Sequence, residues 1–314
     1  MIKKIPTRDG FGEGLVLAGE QDKNIVVLCA DLAESTRVKT FAKKFPERFI
    51  EVGVAEQNLA TLASGMAAVG KIPFIASYAV FSPGRNWEQI RTTICYNSQP
   101  VKIIGSHAGL SVGPDGATHQ ALEDIALMRA LPNMVVLSPA DAIEAKKATL
   151  AMAKLNMPVY MRLTRSAVLV ITTEDSPFEI GKANILREGN HATVIATGQM
   201  VALALEAAEH LEKSNISVRV INVHTIKPLD TKVILLAAEE TRAIVTVEEH
   251  QVVGGLGSAV SEVVSQHFPV PIKMIGVNDS FGESGESEEL LTEYGLTCDN
   301  IIKGVTTVLR MKNK

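Results

Sequence analysis

The sequence is poor in cysteine and aromatic residues, and it lacks long apolar runs. Its three cysteines, Cys29, Cys95 and Cys298, form no Cys-x-x-Cys pair, so they predict neither a disulfide framework nor a zinc site and indicate a reducing compartment. No apolar run reaches membrane-spanning length, and the first residues carry no apolar segment of signal-peptide length. We therefore expect a cytoplasmic protein.

An excess of charge of one sign is also absent. The 31 basic and 35 acidic residues leave a net charge of -4, and the basic residues are scattered. This balance excludes a general nucleic-acid binder, although it allows local sites for phosphate esters. The 314 residues are 46% hydrophobic and 21% charged, which is typical of a soluble globular protein with room for two ordinary domains.

Short apolar runs alternate with longer helical patterns along the chain, as in residues 25–30, 57–68 and 73–78. This alternation indicates parallel α/β units. A polar stretch over residues 172–190 interrupts the pattern, which then restarts. We therefore predict an α/β fold of two doubly wound domains with mainly parallel sheets, over residues 1–175 and 191–314, joined by a linker over 176–190.

Glu56 is the first candidate functional residue, because it stands where a strand pattern ends and an apolar helix pattern begins. Its carboxylate could simply stabilise the helix N-terminus through the dipole. Alternatively, its apolar surroundings could alter its pKa for catalysis. The residues alone leave both interpretations open.

The second candidate is the segment 106–120, which follows a buried strand pattern and contains His107, Asp115 and His119 among three glycines and a proline. Active-site loops lie at the carboxyl ends of parallel strands, so this density of ionisable groups favours function over a solvent-facing turn. Zinc binding is disfavoured, because the histidines lack ligand spacing and no cysteine is near.

A glycine-rich run, residues 254–257, could be mistaken for a dinucleotide-binding fingerprint, but its spacing is wrong. We interpret it as a tight turn that leads into a helix. The preceding Glu248, Glu249 and His250 are expected to be interface or solvated residues rather than metal ligands.

Several segments together resemble the transketolase family over nearly the whole chain. They include Val54-Ala55-Glu56-Gln57, Ser77-Tyr78-Ala79-Val80-Phe81 and a loop that ends in Asp115-Gly116-Ala117-Thr118-His119-Gln120. Ala30-Asp31-Leu32, Gly254-Gly255-Leu256-Gly257 and Asp279-Ser280-Phe281-Gly282 also match. The resemblance implies a pyrimidine-binding domain, a transketolase C-terminal domain, and the cofactors thiamine diphosphate and Mg²⁺.

The resemblance places Glu56 against N1′ of the cofactor's aminopyrimidine. A proton donated there favours the imino tautomer, whose 4′ nitrogen can remove the thiazolium C2 proton. Tyr78 and Phe81 are implied to pack the pyrimidine, and Asp31 to approach the cofactor, although ordinary core roles for the aromatics and a structural role for Asp31 stay open. A third aromatic expected just after Phe81 is replaced by Ser82-Pro83-Gly84, and whether Trp87 substitutes for it is also open.

The same resemblance implies the substrate contacts. Asp115 and His119 match groups that bind sugar hydroxyls and assist proton transfer, so His119 joins Glu56 as a predicted catalytic residue. The predicted sugar-phosphate contacts are Arg8, Ser35, His107 and Arg165. A surface arginine or a loop serine is an equal interpretation for the first two of these.

The Gly-Asp-Gly motif with which the family anchors Mg²⁺ and diphosphate is absent from the sequence. We therefore expect no metal ligand in this chain and an N-terminal transketolase subunit that carries the motif, in a heterotetramer of two copies of each chain. The expected activity is two-carbon ketol transfer from a ketose phosphate to an aldose phosphate, as in the pentose phosphate pathway. Alternatives are a subunit like deoxyxylulose phosphate synthase or a 2-oxoacid dehydrogenase β chain, a non-catalytic scaffold and, less favoured, a dinucleotide-binding oxidoreductase domain.

Overall fold

The computed structural model describes residues 3–312, and its first half is built from eight strands and six helices. In chain order these are β1 (Lys4–Ile5), α1 (Thr7–Gln21), β2 (Ile25–Cys29), α2 (Lys39–Lys44), β3 (Phe49–Glu51), α3 (Glu56–Ala68), β4 (Ile72–Tyr78), α4 (Trp87–Gln89), β5 (Lys102–Ser106), α5 (Asp124–Arg129), β6 (Val135–Leu137), α6 (Ala142–Lys154), β7 (Val159–Arg162) and β8 (Val168–Leu169). A π-helical segment, Ile90–Cys95, continues α4, and 3₁₀ turns occupy Pro46–Arg48 and Leu110–Asp115.

The second half contains six strands and five helices. In chain order these are β9 (Asn184–Arg187), β10 (Ala192–Ala196), α7 (Met200–Glu212), β11 (Val218–Asn222), β12 (Thr225–Lys227), α8 (Thr231–Thr241), β13 (Ile244–Gln251), α9 (Leu256–His267), β14 (Ile272–Val277), α10 (Ser287–Glu293) and α11 (Cys298–Lys312).

The first sheet has the strand order β12-β6-β7-β5-β4-β2-β3, and all its pairs are parallel except β12 with β6. Its central strands are mostly apolar because both faces of the sheet are covered, and β2 is apolar at all five positions. In β2, Val26 and Leu28 pack into one hydrophobic cluster, whereas Ile25 and Val27 pack into another on the opposite face. This is the period-2 alternation of a sheet that is covered by helices on both sides.

The second sheet has the order β14-β13-β10-β11-β9, in which only the edge strand β9 is antiparallel. Its core contains residues of β10, β11 and β13 together with α7 and α11. Two mainly parallel sheets with helices confirm the predicted α/β fold class.

Two pairings were not expected from the local pattern. Residues 184–187 lie within the predicted linker, yet they form β9 at the edge of the second sheet. Residues 225–227 belong to the predicted second domain, yet they form β12 at the edge of the first sheet. The domain boundaries at 175 and 191 stay a prediction. The second half of the chain contributes β12 to the edge of the first sheet, so the two halves are joined by strand pairing.

Glu248, Glu249 and His250 correct one expectation. Each of the three is at most 2% exposed, so they are buried in the interior of the protein and are neither solvated nor on its surface. The Glu248 carboxylate accepts the backbone N–H groups of Leu256 and Gly257 at 2.6 and 2.8 Å, which caps α9. Within residues 3–312, no helix is both long and apolar enough to cross a membrane.

Candidate active site

The predicted functional residues meet at the carboxyl ends of the first sheet, because parallel strands bring their following loops to one edge. Tyr78 ends β4, His107 directly follows β5, and Arg165 follows β7. Arg8 comes from α1, and it reaches the same edge because Thr7 and Thr164 exchange hydrogen bonds: Thr164 N–H donates to Thr7 Oγ1 at 2.7 Å. Thr7 N–H in turn donates to Thr164 Oγ1 at 3.3 Å.

Glu56 is the first residue of α3, and its side chain is 5% exposed. It makes no capping hydrogen bond through its side chain; Ala55 occupies the cap position. Arg85 Nη1 lies 3.4 Å from each carboxylate oxygen, which is longer than an ordinary charge-assisted hydrogen bond. Asn86 Nδ2 donates to the Glu56 carbonyl at 2.9 Å and fixes its backbone. The carboxyl group therefore retains hydrogen-bonding capacity for a ligand.

An aromatic cluster lies at the same edge of the sheet. The rings of Tyr78 and His107 stack with centroids 3.9 Å apart, and those of Tyr78 and Phe81 with centroids 5.9 Å apart. The ring of His119 meets Phe81 edge-on at 5.4 Å. The structure thus brings the two predicted pyrimidine-packing residues together with both predicted loop histidines.

Trp87 does not join this cluster. Its indole N–H donates to the Leu127 carbonyl at 3.0 Å, and its ring packs on the hydrophobic core. The residue that does extend the cluster is Arg85, whose guanidinium lies 4.1 Å from the centroid of Phe81. Sequence reasoning missed Arg85, because Ser82-Pro83-Gly84 separates it from Phe81 and only the folded turn, in which Arg85 N–H donates to the Phe81 carbonyl at 2.9 Å, brings the two together.

His107 is 2% exposed and has a defined tautomer. Arg8 Nη1 lies 2.9 Å from Nε2, and a guanidinium can only donate, so Nε2 accepts. The proton is then on Nδ1, 2.9 Å from Ser106 Oγ. Burial, followed by the charges of Arg8 and Arg165, lowers the pKa of His107 to about 3, so the imidazole is neutral at physiological pH.

The guanidinium of Arg165 is held beside the loop that follows β5. Its Nη1 donates to the Val112 carbonyl at 2.8 Å and lies 3.2 Å from Asp115 Oδ2. Both side chains are about one-third exposed, so a ligand can reach them. Thr118 Oγ1 lies 2.9 Å from His119 Nδ1, which leaves Nε2 of this half-buried histidine as the nitrogen that can exchange a proton with a ligand.

Ser35 and Asp31 are positioned through their backbones. Arg8 Nη1 donates to the Ser35 carbonyl at 2.9 Å, so this contact does not involve the serine hydroxyl. Asp31 is exposed, has a φ of 58°, and its N–H donates to Glu51 Oε1 at 2.7 Å. Among residues 3–312, no group of three or more His, Cys, Asp or Glu side chains is arranged to hold a metal ion.

The fold and this edge define a class: an α/β protein of two mainly parallel sheets, with a buried carboxyl, an aromatic cluster and guanidinium groups at the carboxyl edge of the first sheet. Two family models match the chain: "Transketolase, pyrimidine binding domain" over residues 3–169 and "Transketolase, C-terminal domain" over residues 181–301. The chain belongs to the transketolase family, a thiamine diphosphate-dependent family, which confirms the predicted resemblance.

Similar proteins match the chain over nearly their full lengths. A putative transketolase C-terminal section from Methanocaldococcus jannaschii is 46% identical over 301 residues, which cover 95% of this chain and 94% of that protein. A 6-deoxy-6-sulfo-D-fructose transketolase subunit from Clostridium sp. is 41% identical over 306 residues, 98% of this chain and 95% of that protein. A solved split gene transketolase, described as an inactive beta4 tetramer, has a TM-score of 0.92 and 48% identity, and the match covers 98% of this chain and 99% of that one.

Proposed function

We propose that this chain is the C-terminal subunit of a two-chain transketolase. With its partner it transfers a two-carbon ketol unit from a ketose phosphate to an aldose phosphate, in cytoplasmic carbohydrate metabolism. The observation that carries the proposal is Glu56: a buried carboxyl with free hydrogen-bonding capacity, which Arg85 links to Phe81 and its stacked partner Tyr78.

The residues of this chain fit the aminopyrimidine end of thiamine diphosphate. Phe81 and Tyr78 offer aromatic faces for a ring, and Glu56 offers a carboxyl for a ring nitrogen. When bound, the cofactor supplies the nucleophilic carbon that takes up the two-carbon unit. Glu56 holds or gives a proton at the ring nitrogen, Arg85 lies between Glu56 and Phe81, and Asp31 contributes from the loop after β2.

The substrate groups divide into two sets. Arg8 and Arg165 form a basic corner for a phosphate, since guanidinium groups bind tetrahedral oxyanions through paired N–H donors. Neutral His107 and the Ser35 carbonyl accept hydrogen bonds from Arg8 and orient its guanidinium toward this corner. Asp115 and His119 lie on the loop that Arg165 contacts, and in this proposal they bind the sugar hydroxyls, while His119 Nε2 moves a proton to or from the reacting oxygen.

A partner chain completes the site. The described residues include no cluster for Mg²⁺, and the sequence has no Gly-Asp-Gly motif, so the diphosphate end of the cofactor needs ligands from elsewhere. The names of the relatives support this: one is a C-terminal section, one is a subunit, and a split-gene tetramer of one chain type is described as inactive. We propose an N-terminal subunit with Gly-Asp-Gly and a heterotetramer of two copies of each chain.

A second candidate function differs in the substrate. One relative is named for a sulfonated fructose, and the guanidinium groups of Arg8 and Arg165 suit a sulfonate as well as a phosphate, because both are tetrahedral oxyanions. Comparing kcat/KM for phosphorylated and sulfonated ketoses in the reconstituted complex decides between the two.

The test is reconstitution with an N-terminal transketolase chain that carries Gly-Asp-Gly. We expect calorimetry to detect binding of thiamine diphosphate and Mg²⁺ to the pair but not to this chain alone, and only the pair to transfer the two-carbon unit. Glu56→Ala should abolish transfer while both chains stay folded. Absence of partner-dependent cofactor binding would support the scaffold alternative and overturn the proposal.

A further inference from the structure

The loop that carries the proposed substrate groups, residues 107–120 (the substrate loop), is held from the second domain by Glu249. This residue lies in β13 and is 2% exposed. Its Oε1 accepts the Ser111 N–H at 2.6 Å, and its Oε2 accepts from Gln199 Nε2 at 2.5 Å. One carboxylate of the second domain therefore joins the substrate loop to the start of α7.

Further hydrogen bonds at Ser111 and at Gln120 strengthen this attachment. The Ser111 carbonyl accepts from the Ser287 hydroxyl at 2.8 Å and also from the Ser166 hydroxyl of the first domain at 2.6 Å, so second-domain side chains contact both backbone groups of Ser111. At the end of the loop, Gln120 Nε2 donates to the Glu283 carbonyl at 2.9 Å. The loop is thus attached to the second domain at its middle and its end.

The backbone of the loop is shaped to receive Glu249. Gly109 has a φ of 87°, a conformation that favours glycine, and a β-carbon there would collide with the Glu249 carboxyl group. Glycine at this position therefore allows both the left-handed backbone and the close approach of the carboxylate.

The effect of this hydrogen bond extends to the substrate groups. The residue after Ser111 is Val112, whose carbonyl accepts from Arg165, and Arg165 also pairs with Asp115 of the same loop. A shift of the Ser111 amide would therefore move Val112 and Asp115 relative to Arg165. A hydrogen bond from a backbone amide to a buried carboxyl oxygen is directional, so it fixes a loop position more closely than apolar packing does.

We propose that Glu249 is a positioning residue for substrate: through the Ser111 amide it sets the geometry in which Asp115, His119 and Arg165 meet the sugar. The second domain thereby takes part in substrate binding without touching the substrate. This inference rests on the proposed function, because substrate binding by the loop is itself proposed.

The chain offers a matched control. Glu248 precedes Glu249 in β13, is equally buried, and also accepts two hydrogen bonds, but from Leu256 and Gly257 of α9 rather than from the substrate loop. Glu249→Ala removes the loop contact, whereas Glu249→Gln keeps an oxygen for the Ser111 amide. Glu248→Ala removes a buried carboxyl group of the same strand and leaves the loop contact in place.

The first measurement is hydrogen exchange of the full chain, which requires no activity. We expect Glu249→Ala to accelerate exchange in peptides covering residues 109–120 by about tenfold or more, the size of effect expected when a buried backbone N–H loses its acceptor. Glu249→Gln should restore protection, and Glu248→Ala should accelerate exchange at residues 254–260 instead. Unchanged exchange of the substrate loop in Glu249→Ala, or equal acceleration in Glu248→Ala, would overturn the proposed attachment.

The second measurement is steady-state kinetics of the reconstituted complex. We expect Glu249→Ala to raise KM for the ketose phosphate by about tenfold, a loss comparable to one such hydrogen bond, while thiamine diphosphate affinity stays at the wild-type value. Glu249→Gln should recover most of the affinity, and Glu248→Ala should keep the wild-type KM at temperatures where it is folded. A KM that does not change in Glu249→Ala despite faster loop exchange would refute positioning. Absence of transfer in the wild-type complex would instead refute the proposed function, and the exchange result would still decide the attachment.

Discussion

Replacing Glu56 with glutamine tests the central assignment most directly, because the amide keeps the shape of the side chain and loses its acidity. The structure indicates a small effect on folding. The partner of the carboxylate, Arg85, is 53% exposed, so their ion pair contributes less than about 1 kcal/mol. The loss of a negative charge at the start of α3 costs roughly another 0.3–1 kcal/mol. The hydrogen bond from Asn86 is to the Glu56 backbone and survives the substitution.

The effect on turnover should be far larger. A positioned acid–base group contributes roughly 10²–10⁴ in rate, which corresponds to about 3–5 kcal/mol of activation free energy. We therefore expect Glu56→Gln to reduce two-carbon transfer at least about a hundredfold, while its Tm falls by roughly 5 °C or less. Both follow from the same geometry, a carboxyl group that is buried but weakly bound.

The assay is transfer by the reconstituted complex at saturating thiamine diphosphate, with thermal melts followed by circular dichroism. Glu144→Gln is a suitable control, since Glu144 is also a buried carboxyl near a helix start, and it accepts from the Ala140 N–H and Asn222 Nδ2. We expect that variant to lose stability and to keep its activity when folded. Turnover of Glu56→Gln within about threefold of wild type would refute the reasoning, and so would a collapse of its Tm.

Three further predictions concern neighbouring residues. Arg165→Ala should raise KM for a phosphorylated ketose by roughly tenfold or more and change KM for an unphosphorylated ketose much less, because it removes a charged donor from the phosphate corner; equal effects on both substrates would contradict that role. His107, whose pKa is lowered to about 3, should stay neutral and protonated on Nδ1 at pH 5 in imidazole NMR spectra. Because the unfolded histidine binds its proton near pH 6.5, the contribution of His107 to stability is complete above that pH and is lost as pH falls toward 3. A His107→Gln variant should therefore lose this part of the pH dependence of the unfolding free energy. Observing imidazolium at pH 6 in the NMR spectra of the folded protein would contradict the assignment. Trp87→Phe should cost about 1 kcal/mol through the lost hydrogen bond to Leu127 and leave cofactor affinity unchanged, whereas Phe81→Ala should weaken cofactor binding at least several-fold, as titration calorimetry can measure.

Much of the fold could be predicted because its signals are local. Residues 25–29 are apolar at every position, and that pattern requires a strand covered on both faces, which the structure shows. The two edge strands were missed for the opposite reason. Residues 184–187 and 225–227 are short, and their pairing partners lie elsewhere in the chain, so their own composition could not indicate which sheet they join.

The part of the candidate site that lies at strand ends could be predicted from the sequence. Tyr78, His107 and Arg165 each follow or end a strand, and strand ends of a parallel sheet lie together whatever the detailed packing. The contacts of the Arg85 and Trp87 side chains could not be predicted in this way. Both stand on the turn after Phe81, and only the packing of that turn directs the guanidinium to Phe81 and the indole to Leu127.

The sequence by itself therefore determined the α/β class, the family and the set of groups at the sheet edge, because strand patterns and motif spacing are properties of neighbouring residues. The tertiary structure decided how those groups are tuned. The neutral Nδ1–H form of His107 depends on Arg8, which is 99 residues away in the chain, and the position of Ser111 depends on Glu249, 138 residues away. Hydrogen bonds and burial of this kind arise only when distant segments pack, and they set the pKa values and the loop geometry on which the chemistry depends.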